Sequence, residues 1–321
     1  MRDYAMKRVL LIIPTLILGS ALLFVSLRTL PPRDAVELKI GDEALFHDPQ
    51  LADIEREKLG IHGPLHEQYF RWITGFVTGD WGRSLSTYQP ISEELKNRIP
   101  VSFELSLVAL MITWAVSFPL GIYAAVGQDK FPDYFLRTIA YAIDALPSFV
   151  IAILLLTYLA VYLDWAPPVS YVYLWDDPVG HFEVMLLPFI VVGIGASGTL
   201  LRYTRAFMLE VLRQDYIRTA RSKGLSERTV LTRHALRNVA LPFITFFGNT
   251  IPLLLTSSAI IESLFSLPGM GRYLVQAARG LDYTVVMSTT MFYAIIIMVT
   301  QLLTDMSYAW LDPRINYDRK G

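Results

Sequence analysis

The chain has 321 residues, of which 53% are hydrophobic, 12% aromatic and only 18% charged, against about 25% charged in an average soluble domain. Its 28 Lys and Arg nearly cancel its 29 Asp and Glu, leaving a formal net charge of -1, and it has no cysteine. This hydrophobicity excludes a disordered chain, the charge balance argues against a broad nucleic-acid-binding face, and the missing cysteines exclude thiol catalysis, Fe–S clusters, Cys-based zinc sites and a disulfide scaffold.

The first charge-free run is Val9–Leu27, preceded by Lys7 and Arg8. Its 19 residues exceed a signal-peptide core of about 7–15. The following Arg28-Thr29-Leu30-Pro31-Pro32 lacks a small-x-small cleavage site, so the run reads as a retained anchor helix. Residues 31–100 then form a long connection punctuated by Pro31, Pro32, Gly60, Gly63, Pro64, Gly79 and Gly82. Within it Leu65, Tyr69, Trp72, Ile73 and Phe76 recur at helical spacing, predicting a short amphipathic helix. Acidic residues outnumber basic ones there, twelve to eight, which fits a solvated cap or a docking surface. Five more charge-free runs follow: Leu105–Gln128, Ala145–Leu163, Val184–Leu201, Asn238–Ile261 and Tyr283–Thr304. A membrane-crossing helix needs about 20 mainly apolar residues. Six such segments, apolar all round, do not pack into one soluble domain. The chain reads as an all-α polytopic membrane protein with six transmembrane helices.

Basic residues set the orientation. Arg2, Lys7 and Arg8 flank the first helix. Between the fourth and fifth lie Arg202, Arg205, Arg213, Arg218, Arg221, Lys223, Arg228, Arg233 and Arg237, against Glu210, Asp215 and Glu227. The connection 164–183 carries Asp164, Asp176, Asp177 and Glu183 and no Lys or Arg, and the C-terminal tail adds Arg314, Arg319 and Lys320. Both termini and the basic loop are expected in the cytoplasm. The expected divisions are a cytoplasmic N-terminus with the first helix (1–30), an external segment (31–100), a five-helix core (101–310) containing a basic loop at 205–237, and a cytoplasmic tail (311–321).

The basic loop has more pattern than topology requires. Gly224 breaks a helical stretch, and Ser226 follows as an N-cap for a second short helix. Ala220, Leu225, Val230, Leu231 and Leu236 supply apolar faces for a helix–Gly–helix unit.

Other features carry less chemistry. Gly193-Ile194-Gly195-Ala196-Ser197-Gly198 matches GxGxxG, but it sits inside an apolar span without a βαβ context, so it predicts close helix packing. No G-x-x-x-x-G-K-[ST] occurs, so any ATP is bound by another subunit. His62 and His66 straddle Gly63-Pro64, which argues against a helical metal site. His234 lies in a basic helix, where packing or coupling is expected. Tyr4, Trp165, Tyr171, Tyr173, Trp175 and Trp310 read as interface anchors. Asp144, at the start of the third span, is a functional candidate by its position; the alternative is an interfacial site with water or Arg137 as partner. No nucleophile–base set is visible, so the chain is expected to have no catalytic, cofactor or metal site of its own.

The stretch Asp215-Tyr216-Ile217-Arg218-Thr219-Ala220-Arg221-Ser222-Lys223-Gly224-Leu225-Ser226-Glu227-Arg228, followed by Arg233-His234-Ala235-Leu236-Arg237-Asn238 and Leu241-Pro242, resembles the cytoplasmic loop of ABC importer permeases of the oligopeptide/dipeptide/nickel family, B-type subunit. Gly82-Arg83-Ser84-Leu85, Ile99-Pro100, Leu146-Pro147-Ser148-Phe149, Phe265-Ser266-Leu267-Pro268-Gly269-Met270-Gly271-Arg272 and Leu311-Asp312-Pro313-Arg314 agree in order and spacing. The resemblance covers essentially the whole chain. It implies the type I ABC importer permease architecture, a coupling helix carrying Asp215, Tyr216, Arg218, Thr219, Ala220, Arg221, Lys223 and Gly224, and an external connection at Pro268, Gly269 and Gly271. The general importer pattern has Glu where this chain has Arg218, as in peptide-type permeases. The implied partners are a second homologous permease, two ATP-binding subunits that use ATP and Mg, and an extracytoplasmic substrate-binding protein, in a prokaryotic inner or plasma membrane. The implied function is ATP-driven import of di- or oligopeptides, or a similar small solute such as a nickel chelate or oligosaccharide, by alternating access through helices two to five. A secondary, ion-coupled transporter with a midplane site near Asp144 is the alternative.

Overall fold

The computed structural model describes residues 2–29, 35–40, 48, 50–58, 62–168 and 170–311. Among them there is no strand, only one isolated bridge between Arg83 and Pro90. The C-terminal tail, apart from Leu311, lies outside the described residues, as do Pro31, Pro32 and Gly60 of the 31–100 segment.

The helices follow the apolar runs. α1 is Arg2–Thr29, then come α2 (Ala35–Ile40), α3 (Leu51–Lys58), α4 (Leu65–Thr78) and α5 (Ile91–Val126). α6 (Phe131–Ala145) and α7 (Ser148–Leu163) are separated by a short break, as are α8 (Pro178–Gly195) and α9 (Ser197–Leu212). α10 (Asp215–Ser222), α11 (Glu227–Thr229) and a π-helical turn (Val230–Ala235) lead into α12 (Leu236–Leu264), α13 (Met270–Arg279) and α14 (Tyr283–Leu311). Among the described residues five stretches are long and apolar enough to cross a membrane: Arg8–Thr29, Ile91–Val126, Pro178–Leu212, Pro242–Leu264 and Tyr283–Ser307. Counting the bent pair α6–α7 as one span brings the number to six.

Two spans depart from the sequence expectation. The run Ala145–Leu163 forms α7 from Ser148 on, but a further helix, α6, leads into it and the two meet at 94°. Pro147 lacks a donor for the helical ladder, and the residue before a proline is pushed toward extended backbone. Leu146 accordingly sits at φ -108, ψ 126. The fourth span runs past its predicted end at Leu201 to Leu212, so Arg202 and Arg205 stand on a helix instead of a loop.

The described chain divides into two compact units. One comprises Phe103–Leu267 and the described residues from Thr300 on. Its interior rests on a stripe of small residues along α5: Ala109, Thr113, Ser117, Gly121 and Ala125, all buried at four-residue spacing. Thr113 Oγ1 donates to the Gly193 carbonyl and Ser117 Oγ to the Ser197 carbonyl, both at 2.8 Å. A Cβ on Gly193 would lie 2.7 Å from Ile112 Cβ, and one on Gly121 2.6 Å from Thr204 Cβ. The GxGxxG stretch therefore serves close packing, as expected.

The other unit comprises Arg2–Ser102 and Pro268–Val299. The predicted amphipathic helix is α4, ended by Gly79 at φ 95. Its aromatic face joins a ladder that runs Phe24, Tyr69, Trp72, Phe76, Trp81, Phe292, with ring centroids 5.3–6.2 Å apart between Tyr69 and Trp81 and 5.7 Å from Trp81 to Phe292. Tyr69 OH also meets Ser20 Oγ at 2.9 Å, which ties α4 to α1. Such aromatic pairs each contribute about 0.5–1.5 kcal/mol beyond area burial.

Candidate functional site

The basic loop is built from its buried side outward. α9 ends at Arg213, and Gln214 turns extended to start α10. Ile217 and Ala220 are the buried residues of α10, three apart on one face. They join Met208, Val230, Ala235, Val239, Phe243 and Ala125 in one core. Phe243 packs edge-on against Phe118 at 5.1 Å and Phe207 at 5.8 Å. α10 thus stands on the ends of α5, α9 and α12.

Its other face is open. Asp215, Tyr216, Arg218, Thr219, Arg221 and Lys223 are exposed. Asp215 lies in the first turn, where a carboxylate complements the helix dipole, and accepts a 3.3 Å contact from Arg218. Desolvation by its neighbours lifts the Tyr216 phenol above its usual range.

The turn after α10 needs a left-handed residue. Gly224 has φ +76, and its N–H donates to the Arg221 carbonyl at 2.9 Å. A Cβ there would meet nothing within 4 Å, so the demand is conformational and not spatial. Arg221 reaches across the turn to Glu227 at 2.7 Å. Ser226 caps the next helix by accepting from Thr229 N, as its position predicts. The π turn that follows was not expected. Its i→i+5 spacing turns both Val230 and Ala235 into the core. His234 stands in this turn.

Asp144 lies at the end of α6. Its partners are Arg202 and Thr199 on α9, with Thr199 Oγ1 donating at 2.9 Å. Arg137, the partner considered from sequence, instead lies over the Tyr134 ring. Asp133, fully buried at the other end of α6, holds Arg205 side-on: Nε to Oδ1 at 2.5 Å and Nη2 to Oδ2 at 2.6 Å. Neither Asp133 nor Arg205 stood out in the sequence as a pair, because 72 residues separate them. Nothing supports an ion-coupled carrier built on Asp144.

The connection expected on the external face starts with Ser266 at φ +57 and ends in Gly269, the N-cap of α13, with Gly271 buried on that helix. The Met270 N–H donates to Ser102 Oγ at 2.8 Å. Sequence reasoning missed Asp282, which is 2% exposed. Its Oδ2 accepts from Ser84 Oγ at 2.6 Å and Ser86 N at 3.1 Å, and its Oδ1 from Val285 N at 3.2 Å. The signal available was an Asp immediately ahead of an apolar helix.

Two residues beyond Ser102 on α5, Glu104 meets His181 Nε2 at 2.8 Å while His181 Nδ1 faces the Val172 carbonyl at 2.8 Å. Tyr171 meets His181 and Tyr173 edge-on, and Tyr173 stacks on Trp175 with centroids 4.7 Å apart.

Two family models together span nearly the whole chain. Residues 117–317 match the binding-protein-dependent transport system inner membrane component, and residues 1–108 match the N-terminal part of such components. A Brucella suis biovar 1 chain named as a peptide transport system permease protein is 38% identical over 313 residues, 98% of each chain. The glutathione transport system permease protein of Salmonella paratyphi A is 35% identical over 319 residues, 99% of this chain and 100% of that one. Among solved structures, the MetNI methionine ABC transporter in an inward-facing conformation has a TM-score of 0.57 at 14% identity, covering 68% of this chain and 96% of that chain. That likeness is one of fold.

Proposed function

The chain belongs to the inner membrane components of binding-protein-dependent transport systems, the permease subunits of ABC importers, and from this we propose that it passes short peptides into the cell, driven by ATPase subunits that seat on α10. The two-faced α10 carries the proposal. Ile217 and Ala220 fix it to the spans, while Arg218, Thr219, Arg221 and Lys223 offer donors and positive charge to a partner. Exposed charges of this kind steer and orient docking more than they add affinity.

The chain has no phosphate-binding loop of its own. ATP and Mg act in two separate ATP-binding subunits. A second, homologous permease completes the pathway, and an extracytoplasmic binding protein delivers the solute. α5, α6–α7, α8–α9 and α12 line the route. Both termini and α10 face the cytoplasm, in accord with the nine basic residues from Arg202 to Arg237. The 31–100 segment and the Pro268-Gly269-Gly271 connection lie on the external face. Relatives named for peptide and for glutathione, itself a tripeptide, support the solute class.

The test is recovery of partners on the tagged chain from its own membranes. P-loop ATPase subunits and a second permease are expected to co-purify. Thr219→Glu with Lys223→Glu should lower ATPase recovery while leaving the chain in the membrane. Unchanged recovery in that double variant would overturn the seating on α10.

A further inference from the structure

α6 and α9 are fastened along their shared face more firmly than helix packing requires. At one end Asp133, fully buried, grips Arg205 with two hydrogen bonds. At the other, Asp144 is held by Arg202 and Thr199. Arg202 also lies over the Tyr141 ring, 4.7 Å from its centroid. Between the two pairs, Leu136 and Ala140 pack with Leu201 and Ala124. A Cβ on Gly198 would sit 2.5 Å from both the Ala140 carbonyl and Asp144 Oδ1, so the two backbones touch. The order Asp133–Arg205, then Asp144–Arg202, makes the helices antiparallel.

What this fastening joins is informative. α9 runs directly into α10 through Arg213 and Gln214. α6 runs directly into the 94° elbow at Leu146-Pro147. Ser148, the first residue beyond the elbow, lies against Gly195, the last residue before the break at Ala196; a Cβ on Gly195 would be 3.1 Å from Ser148 Cβ. The two helix breaks are therefore neighbours. On one side of them α6 and α9 are clamped by charge. On the other, α7 and α8 carry no Asp, Glu, Lys or Arg except Glu183.

We propose that Asp144 with Arg202, and Asp133 with Arg205, are positioning residues that make α6 travel with α9, so that a displacement delivered to α10 is passed to the Leu146-Pro147 elbow. This rests on the seating of ATPase subunits on α10 and adds the route by which that seating moves the spans. A rigid pair transmits motion because a packed interface has few intermediate arrangements. An arginine bound side-on resists rotation that a single point contact would permit.

The chain's natural lack of cysteine supplies the readout. Leu146 is 47% exposed at the elbow. A Leu146→Cys variant, in the complete importer in proteoliposomes, is labelled with N-ethylmaleimide with and without ATP and vanadate. ATP trapping is expected to change the labelling rate about fivefold or more, the lower end of ordinary coupling between sites. Arg202→Gln and Asp144→Asn, each in that background, should remove most of the change, what is left being carried by Asp133 and Arg205, while ATP hydrolysis and subunit recovery stay close to those of the parent. Arg202→Lys, which keeps the charge, should retain it in part. The double variant Asp144→Asn with Arg202→Gln should be no worse than either single one, because the pair acts as a unit. A full ATP-dependent change in Arg202→Gln or Asp144→Asn overturns the proposal. So does a Leu146→Cys complex, otherwise unaltered, that hydrolyses ATP with no change in the labelling of its introduced thiol. Loss of the ATPase subunits from the Thr219 and Lys223 double variant tests the α10 seating separately, so either reading fails without the other.

Discussion

The hydroxyl of Thr113 donates to the carbonyl of Gly193 at 2.8 Å, across 80 residues of sequence. The bond exists because Gly193 has no side chain: a Cβ would stand 2.7 Å from Ile112 Cβ and 3.0 Å from the Ala109 carbonyl. Gly193→Ala is therefore expected to push α5 and α8 apart at a cost of about 1–3 kcal/mol. Thr113→Val, which keeps the shape and loses the bond, should cost only about 0.6 kcal/mol. Thermal unfolding in detergent ranks the two; equal shifts would deny the packing role.

Gly224 is the contrasting case. No atom opposes a Cβ there, but φ is +76. Gly224→Ala should cost about 1–2 kcal/mol from backbone strain alone. Gly224→Asn should cost less, since Asn tolerates this region. Gly224→Asp is expected to insert normally yet separate ATP hydrolysis from uptake. Near-normal uptake of a labelled dipeptide by the Gly224→Asp importer, measured beside its ATP hydrolysis, would contradict this.

The two faces of α10 should separate by experiment. Ile217→Asp places a carboxylate in the core formed with Met208, Val230 and Phe243, so the whole loop should loosen. Protease cleavage after Arg218 or Arg221 should then speed up markedly. Lys223→Ala should leave cleavage at those sites unchanged and alter only partner recovery.

Asp282 holds three donors in one unit of the chain. Asp282→Ala takes the acceptor from the buried Ser84 hydroxyl proton and removes the cap on α14. Helix caps contribute about 0.5–2 kcal/mol, and a lost charged hydrogen bond about 1.5–3 kcal/mol. A larger fall in melting temperature than for Thr113→Val is expected, with Asp282→Asn intermediate.

The spans were legible because charge-free runs are set by the solvent they face, whatever the partner helix. The Gly224 turn and the Ser226 cap were legible because they are local: each is fixed by the residues within one turn of it. The 94° elbow lay behind a proline in plain view at the start of the run Ala145–Leu163, but hydropathy does not register direction, and the charged residues of α6 kept that helix out of the run. The pairs Asp133–Arg205 and Asp282–Ser84 join residues 72 and 198 apart in the chain. Local patterning has nothing to say about such distances. Asp144 drew notice for its position, but its partner came from across the fold, where only packing decides which cation arrives.

The π turn at Val230–Ala235 has a consequence for how this segment can vary. An ordinary helix advances about 100° per residue. The turn holds one residue more than an α-helical turn would, and that surplus sets the rotational phase of everything after it in α12. Exchanging one side chain for another leaves the phase alone. Adding or removing a single residue between Ser226 and Leu236 would rotate the long helix beyond by more than a quarter revolution, turning Val239 and Phe243 away from the core they share with Ile217. In this stretch the chain is strict about how many residues it has and lenient about several of the exposed ones, such as Arg228, Thr232 and Arg233.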